Sequence, residues 1–328
     1  MKYALLFPGQ ASQYVGMGRE VASVWKSAES VFNTADSCTG LPVRRLCFEG
    51  PEDELLLTAN LQPCVVATSL AILAAASEEA GLSQTDAFDL RGFPAPPAFV
   101  AGHSVGEYAA LAASGALSVS ECLEIVAFRG RAMEQAGRQR PGTMLALLSG
   151  PADAAGKLCS EIRASVDGSF LVIANYNSPD QVIVAGDLES VDLAAKRAAG
   201  YGIRRALPVR VSGAFHSSAM LPASEKMVER LLSAELAEPR IPVVGNIDAE
   251  PIPDPDSIRG ELSAQIVAPV RWAESMSYMG SRGAQYFVEV GPGQVLSRLA
   301  TRAVEGVEAL AVGDVDGVRA LAGRFLGQ

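Results

Sequence analysis

Pro97-Ala98-Phe99-Val100-Ala101-Gly102-His103-Ser104-Val105-Gly106-Glu107-Tyr108 passes from an apolar run, through a glycine-flanked turn, into an Ala- and Leu-rich segment. The run at 97–101 predicts a buried strand, and Glu107 to Gly115 predicts the start of a helix. Between them, Gly-x-Ser-x-Gly has the form of a nucleophile elbow, a serine on a strained strand-to-helix turn. Glycine at 102 and 106 lets strand and helix pack closely around that turn. The turn lifts the Ser104 hydroxyl into the open and aims helix-start N–H groups at whatever bonds to it. The pattern alone also occurs in ordinary glycine-rich turns; the strand and helix on its flanks favour a nucleophile.

Outward from this turn, strand and helix signals alternate. Tyr3-Ala4-Leu5-Leu6-Phe7 predicts a first strand entering the loop Pro8-Gly9-Gln10, and helical patterns follow at Val21 to Ala35, Pro51 to Leu57 and Pro63 to Ala80. Asp89 to Pro97 is Pro-rich and predicts a surface loop. A helix is expected from Ser118 to Gln135. The alternation predicts a mostly parallel sheet covered by helices. Residues 140–208 read differently: strands at Thr143 to Leu148, Phe170 to Ala174, Gln181 to Ala185 and Arg204 to Val209, with helices at Pro151 to Ala164 and Leu188 to Ala199. That order, βαββαβ, is a ferredoxin-like unit. The expected fold is therefore α/β: a large, discontinuous α/β-hydrolase-like domain (1–139 and 209–328) with an inserted ferredoxin-like subdomain (140–208). Beyond it a helix is expected from Ser224 to Leu236, strands at Ile241 to Val244 and Gln285 to Val290, a loop at Pro251 to Pro255, and a final helix near Gln294.

The chain has 328 residues, 49% of them hydrophobic and 20% charged, and a formal net charge of −10. It can bury a large core. The acidic balance argues against nucleic acid, whose phosphates call for a basic face. Five cysteines (38, 47, 64, 122 and 159) form no Cys-x-x-Cys pair, so free thiols in a reducing cytoplasm are expected. Those spacings and two histidines build no metal site. The longest apolar run, Cys64 to Ala76, falls short of a membrane span and predicts a buried helix. No targeting segment is expected, since the apolar start is too short for a signal peptide.

A serine nucleophile needs a base. His103 adjoins Ser104, and neighbours on such a turn point apart, so it reads as a structural residue under the elbow. His216, in the small-residue loop Val211-Ser212-Gly213-Ala214-Phe215-His216-Ser217, remains as the base. The imidazole then needs an acceptor on its other nitrogen. Asp153, Asp167, Asp180, Asp187 and Asp192 lie between serine and histidine, but in or near the inserted unit. The usual hydrolase order of serine, acid and histidine fits poorly, which leaves a carbonyl oxygen to orient the ring. Arg129 falls on the buried stripe of its helix, with Val119, Cys122, Ile125, Val126 and Met133. A buried arginine is costly without a partner, and its fork suits a carboxylate. That carboxylate belongs either to a substrate or to the protein itself, Glu107 being the internal candidate.

Eight motifs in order resemble the malonyl-CoA:acyl carrier protein transacylases, over nearly the whole chain. They are Phe7-Pro8-Gly9-Gln10-Ala11-Ser12-Gln13, Leu61-Gln62-Pro63, the elbow, Arg129-Gly130, Asn175-Tyr176-Asn177-Ser178-Pro179, Gly213 to Ser217, Gln265 with Pro269-Val270-Arg271-Trp272, and Glu289-Val290-Gly291-Pro292-Gly293. The resemblance implies that Ser104 carries the malonyl group as an ester and that His216 acts as base and then acid. It implies that the Gln265 main-chain carbonyl orients His216 and that the Gln10 and Val105 N–H groups form the oxyanion hole. Arg129 would pair with the malonyl carboxylate. Phe215 would crowd an α-methyl branch; Gln62, Met133 and Asn175 would line the pocket, Met133 having a second reading as plain core. The implied substrates are malonyl-CoA and the phosphopantetheine thiol of holo acyl carrier protein, with no metal or redox cofactor. Lys226, Arg204 and Arg205 are candidate carrier contacts. Two readings stay open beside it: a stand-alone acyltransferase serving polyketide synthesis, and a thioester hydrolase using the same Ser/His pair. Ala11 departs from the family's usual glycine, and the loop at 89–97 is longer than expected, with a bearing on carrier docking or oligomer contacts.

Overall fold

The computed structural model describes residues 2–82 and 86–325; Met1, 83–85 and 326–328, which fall within the expected large domain, lie outside the described residues. The first strand, β1 (Tyr3–Phe7), is buried throughout. Helices α1 (Arg19–Val24), α2 (Lys26–Thr39), α3 (Val43–Glu49), α4 (Glu52–Leu55) and α5 (Thr58–Glu79) follow. The single helix expected at 21–35 is thus two, broken at Trp25, whose backbone is extended and whose indole N–H donates to Glu79 at 2.9 Å. Helix α3 was not expected at all. Helix α5 begins five residues before Pro63 and keeps that proline inside it, because burial on every side outweighs the one lost ladder bond. It is long and apolar enough to cross a membrane, yet 89% of its apolar window is buried in protein.

Strand β2 (Phe99–Gly102) leads through the elbow into α6 (Gly106–Ala113), and α7 (Val119–Gln139) follows. The stretch before β2 is a loop, as expected, but it is pinned rather than loose. Phe88, Leu90 and Phe93 are buried, and the Ala95 carbonyl accepts the Tyr3 hydroxyl at 2.7 Å. Tyr3 starts β1, so this loop lies at the end of the sheet opposite the elbow.

The next elements are β3 (Thr143–Leu148), α8 (Ala154–Ser165), β4 (Leu171–Ser178), β5 (Gln181–Gly186), α9 (Leu188–Arg197) and β6 (Arg205–Val209). They form an antiparallel sheet in the order β4-β5-β3-β6, with both helices on a separate small core that includes Leu145, Leu158, Ile162 and Val184. This is the ferredoxin-like arrangement. The outer edge of β4 meets the rest of the chain, where the Tyr176 N–H bonds the Val270 carbonyl at 2.8 Å.

The chain then forms α10 (Leu221–Leu232), β7 (Val243–Val244), α11 (Pro255–Ala264), α12 (Trp272–Ser281), β8 (Tyr286–Val290), α13 (Val295–Ala303), β9 (Glu308–Val312) and α14 (Val315–Phe325). Four of these correct the sequence reading. The loop expected at 251–255 ends where α11 starts, with Asp254 as cap (Oδ1 to Ser257 N–H, 2.8 Å) and Pro255 in the first turn. Helix α12 was not expected. The helix near 294 is not the last element, since β9 and α14 follow it; β9 is a half-buried edge strand without clean alternation.

Strands β7-β2-β1-β8-β9 form one parallel sheet. Helix α5 lies in the main core beside it and packs against α2, α7 and α14. The C-terminal ends of β1, β2, β7 and β8 therefore open at one edge, the usual place for a site in such a sheet.

Candidate active site

The elbow is possible only with two glycines. A Cβ on Gly102 would sit 2.0 Å from the Gly106 main chain, and one on Gly106 would sit 2.1 Å from the Phe7 carbonyl. Ser104 is held at φ 52°, a left-handed conformation that costs a non-glycine residue about 1–2 kcal/mol. Two contacts brace the turn from the neighbouring strand: Asn246 Oδ1 accepts the Ser104 N–H at 2.7 Å, and Asn246 Nδ2 donates to the Gly102 carbonyl at 2.7 Å.

The structure places Ser104 Oγ 2.9 Å from His216 Nε2. His216 is also at positive φ, 56°. Its Nδ1 faces two carbonyl oxygens, Gln265 at 2.9 Å and Ala268 at 3.1 Å. With two acceptors on that side Nδ1 carries the proton, and Nε2 is the free base toward serine. Burial, and the neighbouring Arg129 cation, push the imidazole down to about 3, so it stays neutral at ordinary pH. His103 makes no part of this pair. Its Nε2 meets Asn177 Oδ1 at 2.9 Å and its ring abuts Trp272.

Arg129 is fully buried. It donates to Gln62 Oε1 at 2.8 Å, to Gln265 Oε1 at 3.0 Å and to Ser104 Oγ at 3.2 Å, and its guanidinium lies against the Tyr108 ring. The internal ion pair with Glu107 does not form. The Gln265 amide stands between them, its Nε2 donating to Glu107 Oε2. Burial and the neighbouring Glu261 carboxylate push Glu107 well above the usual carboxylate range. The hydrogen-bond partners of Arg129 are therefore all neutral side chains, and no carboxylate is in contact with it among the described residues.

These groups line a cleft of about 250 Å³ between the two sheets. Gln10, Val105, Gln62, Met133, Asn175 and Phe215 all border it. The Gln10 and Val105 N–H groups donate to nothing among the described residues. Gln62 Nε2 lies 3.4 Å from the Met133 sulfur. The opposite wall is mainly apolar, with Met144, Ala146, Ile183 and Val209 from the small sheet and Val295 and Leu299 from α13, and Asn175, Asn177 and Gln181 of the small sheet add neutral polar groups. Lys226, on α10, donates to Gln135, and Arg204 and Arg205 are exposed at the start of the edge strand β6.

Sequence reasoning missed Asn246, Glu261 and the Ala268 carbonyl. The signal for Asn246 was present: a polar residue two positions beyond a short apolar strand, at the strand end where parallel sheets keep their sites. Glu261 lies in helix α11, which was not foreseen, and Ala268 just beyond it.

An acyl transferase domain model matches residues 4–320. Over 95% of its length the chain is 36% identical to a malonyl CoA-acyl carrier protein transacylase of Bacillus subtilis (strain 168), covering 94% of that protein. The crystal structure of an acyl-carrier-protein-S-malonyltransferase from Bartonella henselae superposes with a TM-score of 0.91 at 34% identity, all of both chains being covered. A malonyl-transacylase solved in complex with its type II PKS acyl-carrier protein superposes at 0.89 and 33% identity, over 98% of this chain and 99% of that one. The elbow, the Ser/His pair and this likeness over the full fold lead to one family: the chain belongs to the acyl transferases.

Proposed function

We propose that the chain moves a malonyl group from malonyl-CoA to the phosphopantetheine thiol of a holo acyl carrier protein, by way of an ester on Ser104. Ser104 Oγ attacks the thioester carbonyl while His216 Nε2 takes its proton. The Gln10 and Val105 N–H groups receive the oxyanion, each such donor contributing about 3–4 kcal/mol to the transition state. The CoA thiolate leaves with the proton from His216. The carrier thiol then attacks the Ser104 ester, His216 again accepting and returning a proton, and serine is restored. The Gln265 and Ala268 carbonyls hold the ring in place for both halves. The scheme calls for no metal or redox cofactor.

The observation that carries this reading is Arg129: buried, without an anionic partner, and 3.2 Å from the serine hydroxyl. A malonyl ester on Ser104 would put its free carboxylate beside that fork. An acetyl or long-chain acyl group would leave the cation unpaired, a penalty of about 2–5 kcal/mol. Phe215 on the cleft wall supports rejection of an α-branched acyl group. The carrier is supported by the relatives' names and by the carrier-bound neighbour. A cytoplasmic setting is supported by five free cysteines, four of them buried.

Arg129→Ala tests the reading through the ratio of malonyl-CoA to acetyl-CoA acylation rates. That ratio is expected to fall at least about 30-fold, the equivalent of about 2 kcal/mol. A variant with undiminished malonyl preference contradicts the assignment.

A further inference from the structure

Register explains what Asn246 does. Strand β7 pairs with β2 in parallel, Val100 opposite Val243 and Ala101 opposite Val244. The Val100 N–H bonds the Pro242 carbonyl at 3.0 Å. Continuing that ladder, the next rung would join the Gly102 carbonyl to the main-chain N–H of residue 246. The rung is not made that way. The Asn246 N–H donates instead to Glu261 Oε1 at 2.8 Å, as does the Ile247 N–H at 2.9 Å. The Asn246 side chain takes over the rung, Nδ2 on the Gly102 carbonyl and Oδ1 on the Ser104 N–H. A carboxamide has one donor and one acceptor face, as a peptide group does, so it extends the sheet over a residue whose φ has already turned the chain away.

Asn246 is aimed from all sides. It is fully buried, and its own carbonyl accepts the Arg271 N–H at 2.8 Å. Glu261 stands one helical turn before Gln265 on the same end of α11. That end therefore reaches both reacting partners: Gln265 through its carbonyl to His216, and Glu261 through Asn246 to Ser104. The clamp also occupies the Ser104 N–H, which keeps that donor out of the oxyanion hole.

We infer that Asn246, anchored by Glu261, is a positioning residue for acyl transfer: its amide fixes where the Ser104 hydroxyl stands. The inference rests on Ser104 being the acylated residue. Displacement of a reacting atom by about 1 Å costs on the order of 100-fold in rate. The two main-chain groups at the elbow lose their partners when the amide is removed, and the strained turn relaxes.

The test is single-turnover acylation by malonyl-CoA, followed by intact mass, on the full chain. For Asn246→Ala the rate constant is expected to drop about 100-fold, with KM for malonyl-CoA within about threefold of wild type. A merely structural role lowers the fraction of chains that react, not the rate constant of those that do. Glu261→Ala is expected to slow the step in the same direction. Glu261→Gln, which keeps an acceptor for the two N–H groups, is expected to recover most of that loss. An Asn246→Ala rate constant equal to wild type overturns the inference, as does a KM that rises in step with the fall in rate. Should Asn246→Ala not fold, the Glu261 pair decides: equal rates for the Ala and Gln variants overturn the anchor. Wild type that is acylated separates failure of the clamp from failure of the Ser104 reading; wild type that takes up no malonyl group overturns both.

Discussion

The parallel sheet and the antiparallel sheet face each other across one cleft and do different work in it. In the proposed mechanism the parallel sheet supplies the chemistry from its strand ends: the Gln10 loop after β1, Ser104 after β2 and Asn246 after β7. Its half of the molecule also holds every fully buried carboxyl and guanidinium group among the described residues, Glu107, Arg129 and Glu289. The small unit buries only uncharged polar side chains, such as Asn175, Asn177 and Ser190, and its sheet gives the cleft a wall of apolar and neutral polar side chains. Parallel strands end together at one edge, with helix starts and loops beside them. Antiparallel strands send their ends both ways, so the sheet presents a face instead. On the proposed mechanism, the difference teaches that one unit makes the reaction and the other shapes the space for it.

A break in the small unit's own core should therefore weaken the protein without touching the reaction. Leu158→Ala, in that core, is expected to cost about 2–5 kcal/mol in denaturant unfolding. Its acylation rate constant should match wild type at temperatures where it is folded. A slowed acylation step would break the division of labour.

The buried carboxyl under the large sheet gives a smaller effect with a defined sign. Burial and Glu261 raise the folded pKa of Glu107 above its ordinary value of 4.5. The folded state then holds the proton more tightly than the unfolded chain does. The associated stability is fully present below that ordinary value and is lost as pH rises toward the folded pKa. Glu107→Gln removes the loss. The variant is expected to gain on wild type as pH is raised from about 4 to about 8, and to show no gain at the acid end. A constant difference across that range would contradict the raised pKa of Glu107.

The smallest expected change sits in the first loop. Ala11 has φ 80°, a conformation natural to glycine, so the departure at this position carries backbone strain. Ala11→Gly is expected to raise stability by roughly 0.5–1 kcal/mol, part of the relief being offset by the greater freedom of the unfolded chain. A lower denaturation midpoint would show the strain to be absent.

What was legible in the sequence follows the same division. The small unit could be read strand by strand, because its strands are bounded by turn signals such as Asn177-Ser178-Pro179-Asp180. The elbow was legible because its glycines and serine have fixed offsets. Ser104, His216, Arg129 and Gln265, named from far-apart stretches of chain, meet at one end of the parallel sheet. The rim of that sheet was harder. Residues β9 and α14 span are only weakly patterned, and α11 starts on a proline that reads as loop. The place of Asn246, a polar residue just past a short strand, could be read, but its role and that of Glu261 could not: they come from a ladder rung that a side chain makes in place of the backbone. No local pattern encodes that.

The most direct measurement is intact mass after brief exposure to malonyl-CoA, for wild type and Ser104→Ala, with the labelled peptide sequenced. Wild type is expected to gain one malonyl group on Ser104 and to lose it to a holo carrier protein; Ser104→Ala should gain none. A malonyl group found on another residue, or taken up equally by Ser104→Ala, would contradict the account.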